Sequence, residues 1–202
     1  MTLVHSLAIA TLLPLAGTVP RPAPIQAMTE FLERVADYVE LRREVVAGVD
    51  GPIYCSDPEE LTRQQAERAA AIRDARPLVS EGNIFTPRTA AYFRARIAHA
   101  IGIAAFDVAT AMGQPDDVVL EVHALLPWGA GQPASARLTG LLPPLPQELE
   151  YRFVGRHLVL LDVEANLVVD VLRNAVPAVI ETPANRSPGP CDVHPELPAC
   201  WM

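Results

Sequence analysis

Residues 150–172 read EYRFVGRHLVLLDVEANLVVDVL, three apolar runs separated by Gly155-Arg156 and by the polar residues of 162–166. Runs of this length and composition are strand formers, and the connections are too short for a crossover, so neighbouring strands must pair antiparallel. Gly155 supplies the positive φ that a type II′ turn needs at its first position, which makes 150–154 and 157–162 the arms of a two-residue hairpin. Asp162 and Asn166 satisfy turn backbone locally and Asn tolerates the left-handed region, so 162–166 is a second turn and 167–172 a third strand. Leu158, Val159, Leu160 and Leu161 are apolar on both faces, as a central strand covered on two sides must be, whereas the third strand carries Asp170 among its valines. The result is a small antiparallel meander under helices.

The helices come from upstream. From Thr29 onward Phe31, Leu32, Val35, Val39, Val45 and Val46 recur at three- and four-residue steps, with Glu33, Arg34, Asp37, Glu40 and Arg43 between them, which predicts an amphipathic helix ending near Gly48. Ser56 with Glu59 makes a capping box and Pro58 sits in the first turn of a second helix over 58–75, ended by Pro77. Thr86 and Pro87 cap and open a third, whose buried stripe is Ala90, Phe93, Ile97, Ala100 and Ile101 and which Gly102 interrupts before another turn or two. Residues 116–127 fit either a helix end or an extended segment, 128–137 read as loop, and LPPLPQ at 142–147 is stiff and extended. A chain of 202 residues, 5% aromatic and with 20 prolines, needs an aliphatic core and many connections. The fold class is α+β: three or four helices packed on a three-stranded antiparallel meander, in a single domain over 28–177, with extended proline-rich termini.

Those termini bear on the compartment. Residues 3–17, LVHSLAIATLLPLAG, form an apolar run of signal-peptide length, and Pro20, Pro22 and Pro24 in the spacer behind it forbid a helix there. No arginine or lysine precedes the run, so only the terminal amine supplies its positive charge. Cleavage after Gly17 or after Ala27 fits the small residues such a cut requires. The expected product is periplasmic or secreted, with residues 1–27 as signal peptide and spacer and 178–202 as a proline- and cysteine-bearing tail. A net charge of −8 argues against nucleic acid and against anionic membrane surfaces, because no basic face exists to displace counterions. All 16 basic residues are arginine, which GC-rich coding explains more simply than selection for guanidinium forks.

The segments FLERVADYV, AIRDAR, GNIFTP, LPPLPQELEYRFVGR and DVEANLVVD resemble an uncharacterised family of small exported proteins from Gram-negative bacteria. The stretch YRFVGRHLVLLDVEANLVVDVL is also similar to the three-stranded RcnB-type periplasmic module of nickel and cobalt homeostasis proteins. These resemblances imply export and the architecture above, and they transfer no catalytic residue.

Chemistry has few candidates. Glu148, Glu150, Asp162, Glu164 and Asp170 could offer a carboxylate pair for general acid and base work if two of them faced one cleft, although Glu148, Asp162 and Glu164 fall at strand ends and turns, where acids are ordinarily solvated. His157 opens the central strand and could act as a base oriented by Asp162 or Asp170, or serve as an ordinary cross-strand partner. The chain contains no G-x-S-x-G, H-E-x-x-H, P-loop or G-x-G-x-x-G motif, and no cofactor is implied. Cys191, His194 and Cys200 supply three soft ligands, but a structural zinc normally takes four, and two exported cysteines nine residues apart more simply close a disulfide, leaving Cys55 free.

The reading is an exported, non-enzymatic binding or envelope-associated protein whose partner is an unknown envelope protein or small ligand, with no nucleic acid and no integral membrane span after processing. The alternatives are a hydrolase using Asp/Glu and His, or a periplasmic metal-handling protein with reduced tail cysteines close to His157 or His123. Export has a direct consequence: protein recovered from the periplasm or medium should lack at least residues 1–17. Intact-mass analysis checks this, and a cytoplasmic product still beginning at Met1 or Thr2 sinks it.

Overall fold

The computed structural model describes residues 24–49, 57–104 and 118–177. Three long helices, α1 (Pro24–Val46), α2 (Pro58–Ala75) and α3 (Pro87–Ala104), precede a two-residue strand β1 (Gln132–Pro133), a one-turn helix α4 (Ala136–Thr139), and the meander β2 (Leu149–Val154), β3 (His157–Asp162) and β4 (Leu167–Leu172). The architecture is α+β, and the sheet is antiparallel in the order β1-β2-β3-β4.

Helix α1 opens at Pro24, where a helix-free spacer was expected. Proline is well placed there, because its missing N–H is one of the donors that a first helical turn leaves without a partner anyway. Ala27 is buried, so this first turn belongs to the core. Helix α2 has the bounds read from the sequence, but its cap is Asp57, whose carboxylate accepts the Glu59 N–H at 3.0 Å; Ser56 lies outside the described residues. Thr86 does cap α3, its hydroxyl accepting the Thr89 N–H at 3.3 Å. Gly102 does not interrupt that helix, which continues to Ala104.

Leu149, Tyr151, Phe153, Leu158, Leu160, Leu167, Val169 and Leu172 point from the sheet into the main core. There they meet Phe31 and Val35 of α1, Ile72 of α2, and Phe93 and Ile97 of α3. The few aromatics are gathered at this centre: Phe93 lies 4.7 Å from Phe31, 5.1 Å from Phe85 and 5.8 Å from Tyr151, ring to ring. The opposite face carries Val154, Val159, Leu161, Val168 and Val171 under Leu120, Leu126 and Ala130. A loop with one bridge, Leu125 to Leu167, therefore closes that face and settles how the ambiguous segment after 116 is used where it is described.

The fourth strand is a correction to the expected three. Gln132 and Pro133 pair with Phe153 and Arg152, within a stretch that the sequence offered only as loop. Gly131 makes this possible: it has φ +72°, and a Cβ there would stand 2.9 Å from the Phe153 carbonyl oxygen. Proline on this outer strand offers no N–H to a further chain, which helps to blunt the sheet edge.

Val154 opposes His157 across Gly155-Arg156, Gly155 has φ +53°, and Arg156 is not among the residues with positive φ, as the type II′ turn requires. Asn166 takes φ +48° in the second turn. Gly155→Val should therefore cost about 1–3 kcal/mol through backbone strain alone, since its Cβ would meet open space. Gly131→Ala should cost more than Gly155→Ala, because a clash with backbone adds to the strain. Thermal melts of the variants decide, and equal shifts for the two alanines would mean that β1 does not sit this close to β2.

Candidate functional site

The two aspartates singled out from the sequence are both fully buried, and neither is a solvated turn acid. Asp162 ends β3 on its helix-facing side. One of its oxygens accepts the Tyr38 hydroxyl at 2.7 Å and the Arg42 Nε–H at 2.6 Å, and the other accepts the Ala165 N–H at 2.9 Å. Arg42 also donates to Glu164. Burial works against the charge of Arg42, and Asp162 and Glu164 more than offset it, so the guanidinium is held above its ordinary pKa. Burial, reinforced by the Asp162 charge and hydrogen bond, pushes the Tyr38 hydroxyl well above the usual phenol range and keeps it a donor.

Asp170 reaches the helix layer through a bulge. Leu160 opposes Asp170 while Leu161 opposes Val168, so Val169 is an extra residue and strict alternation breaks there. Leu160 faces the helices, and its partner Asp170 faces the same way. Its Oδ1 accepts the N–H groups of Gly82 and Val171 at 2.9 and 2.8 Å, and its Oδ2 those of Ile84 and Phe85, both at 2.7 Å. This carboxylate fastens the GNIF loop between α2 and α3 to the sheet.

His157 joins neither acid. It pairs with Val154 on the loop-covered face, at the end of β3 opposite Asp162, and its Nδ1 accepts the Asn174 N–H at 3.0 Å. Burial first, then the charges of Arg173 and Arg156, lower its pKa, in keeping with the unprotonated Nδ1 that this bond requires. His123 lies at the other end of β4, its backbone N–H donating to the Val168 carbonyl. Among the described residues no three His, Cys, Asp or Glu side chains gather closely enough to hold a metal ion. Cys55, Cys191, His194 and Cys200 lie outside the described residues, as does the expected disulfide.

What the helices and the meander do present is a groove along α1. One half, about 450 Å³, is bordered by Arg42, Arg43, Arg68, Gln147, Glu148 and Glu164. The other, about 480 Å³, runs between Leu32, Val35, Ala36 and Val39 of α1 and Pro144 and Pro146 of the stiff segment before β2. Arg43 borders both halves. Glu148 and Glu164, from the list of candidate acids, do share a cleft here, with Glu164 already tied to Arg42.

Tyr38 and Arg42 were not found from sequence, although a signal existed. Residues 31, 35, 38, 39 and 42 follow one face of α1, so an arginine falls on its buried stripe and demands a counter-charge. Gln64, Gln65 and Arg68 do the same on α2 beside Ala69 and Ile72.

No family model, curated protein or solved structure matches this chain. Among the described residues no helix is long and apolar enough to cross a membrane.

Asp170→Asn tests the structural role of that acid. Each oxygen takes two N–H donors, so either orientation of the amide sets its NH₂ against two of them, at a cost of about 2–5 kcal/mol. Chemical denaturation measures this. A loss below about 1 kcal/mol would mean that the GNIF loop is held by its apolar packing instead.

Proposed function

We propose that this chain is an exported, non-enzymatic binding protein of the bacterial envelope, and that the groove along α1 is where its ligand lies. The observation that carries this reading is the groove's two-part chemistry, an apolar half and an arginine-containing half, both bordered by Arg43. Each half has the volume of an ordinary small-molecule site. Three of the candidates for acid and base chemistry support it by their placement: Asp162 and Asp170 are out of solvent with their oxygens engaged by the fold, and His157 pairs with Val154 on the loop-covered face, while Glu164, which borders the groove beside Glu148, is tied to Arg42. A binding protein needs a shaped surface, and here neither Asp162 nor Asp170 lines it, although the buried Arg42 and Arg68 border its polar half. Export rests on the apolar run at 3–17 and on the resemblance to small exported proteins and to the RcnB-type module.

Site-specific photocrosslinking in the native host tests the reading. A benzophenone side chain at the exposed Ala36, inside the groove, should yield a discrete adduct in the envelope fraction, whereas one at the exposed Asp74 of α2, outside it, should not. No adduct at 36, or the same pattern from both positions, removes the groove as the binding site.

A further inference from the structure

The walls of the groove restrict what can occupy it. We infer that its ligand is a single-chain amphiphile with an anionic headgroup, the hydrocarbon lying along α1 between Val35, Val39, Pro144 and Pro146 and the headgroup meeting the guanidinium of Arg43. This rests on the α1 groove being the binding site. Two observations lead to the chain. The helical wall spends its backbone N–H and C=O groups within α1, and Pro144 and Pro146 have no N–H at all, so the apolar half presents no main-chain donors to an occupant. A peptide laid there would find no main-chain donor in the wall for its carbonyls, whereas a hydrocarbon chain has none to satisfy.

The charge that borders both halves selects the headgroup. Arg42, one residue before Arg43, is buried and committed to Asp162 and Glu164. Arg43 is exposed and makes no ion pair with any described residue. Glu40, Glu148 and Glu164 are the opposing charges along the groove; Glu164 is paired with Arg42, and none of the three forms an ion pair with Arg43. A planar guanidinium with five donors fits a carboxylate or phosphate held at the end of an apolar trough.

Isothermal titration of the full chain with sodium dodecanoate, below its micellar concentration, tests this, with dodecyl phosphate, dodecyltrimethylammonium and dodecyl maltoside as parallel arms. One equivalent of dodecanoate or dodecyl phosphate should bind, and the cationic and neutral amphiphiles should bind at least about tenfold more weakly. Arg43→Gln should weaken the anionic ligands by about tenfold and leave dodecyl maltoside unchanged. Ala36→Trp, which fills the apolar half from an exposed position, should abolish all four, and circular dichroism melts confirm that both variants fold. Equal affinity for the cationic amphiphile, or insensitivity of dodecanoate to either substitution, overturns the assignment. Absence of dodecanoate binding while the photo-adduct at position 36 persists overturns the amphiphile alone; absence of both removes the groove reading with it.

Discussion

The carboxylate of Asp170 takes four backbone N–H groups inside the protein, three of them from Gly82, Ile84 and Phe85 in a loop some 85–88 residues earlier in the chain. A tight loop between two helices turns several N–H groups inward, and burying them beside an apolar sheet is costly unless something accepts them. One carboxylate accepts them all. The bulge at Val169 is the price of presenting it, since without that extra residue Asp170 would lie on the loop-covered face with Val168 and point at the wrong layer. Asp162 does the equivalent work at the other end of the sheet by seating Tyr38 and Arg42 of α1. Between these two points Phe31, Phe85, Phe93 and Tyr151 close the core, and the orientation of the helices over the strands follows from them.

The parts legible in the sequence are those whose cause is local. The turns at Gly155 and Asn166, the bounds of α2, the cap at Thr86 and the two-sided apolarity of β3 each depend on residues within a few positions of one another. The parts that were not legible depend on partners far along the chain. Asp162 looked like a turn acid because Tyr38 and Arg42 stand 124 and 120 residues away. Strand β1 has only two residues and no pattern of its own; it exists because Gly131 lets the backbone approach Phe153. The start of α1 at Pro24 has a different cause. Proline is a barrier in a helix interior, but at the first helical position it costs nothing.

The same distinction governs the candidate site. His157, Asp162 and Asp170 were attractive because they are polar residues within apolar runs, and that pattern marks a buried group with a fixed partner as readily as a reactive one. In this fold the partners are backbone N–H groups, a phenol and a guanidinium. Residues that border open space are less conspicuous in sequence: Ala36, Arg43, Pro144 and Pro146 would each pass as surface or linker.

Helix α1 links the fold to the proposed site. Val35 and Val39 belong to the main core and also line the apolar half of the groove, so the floor of the groove is the outer edge of the core. Arg42 and Arg43 are neighbours in sequence, yet the 100° that separates consecutive residues on a helix sends one inward to Asp162 and leaves the other in solvent. The pairing of Arg42 with Asp162 and Glu164 therefore does two things at once. It compensates a buried charge, and by fixing the rotation of α1 it determines where Arg43 stands relative to Pro144 and Pro146. A change at Tyr38, Arg42 or Asp162 would act on the groove without any of the three touching a ligand in its apolar half, through the seating of the helix that forms its wall.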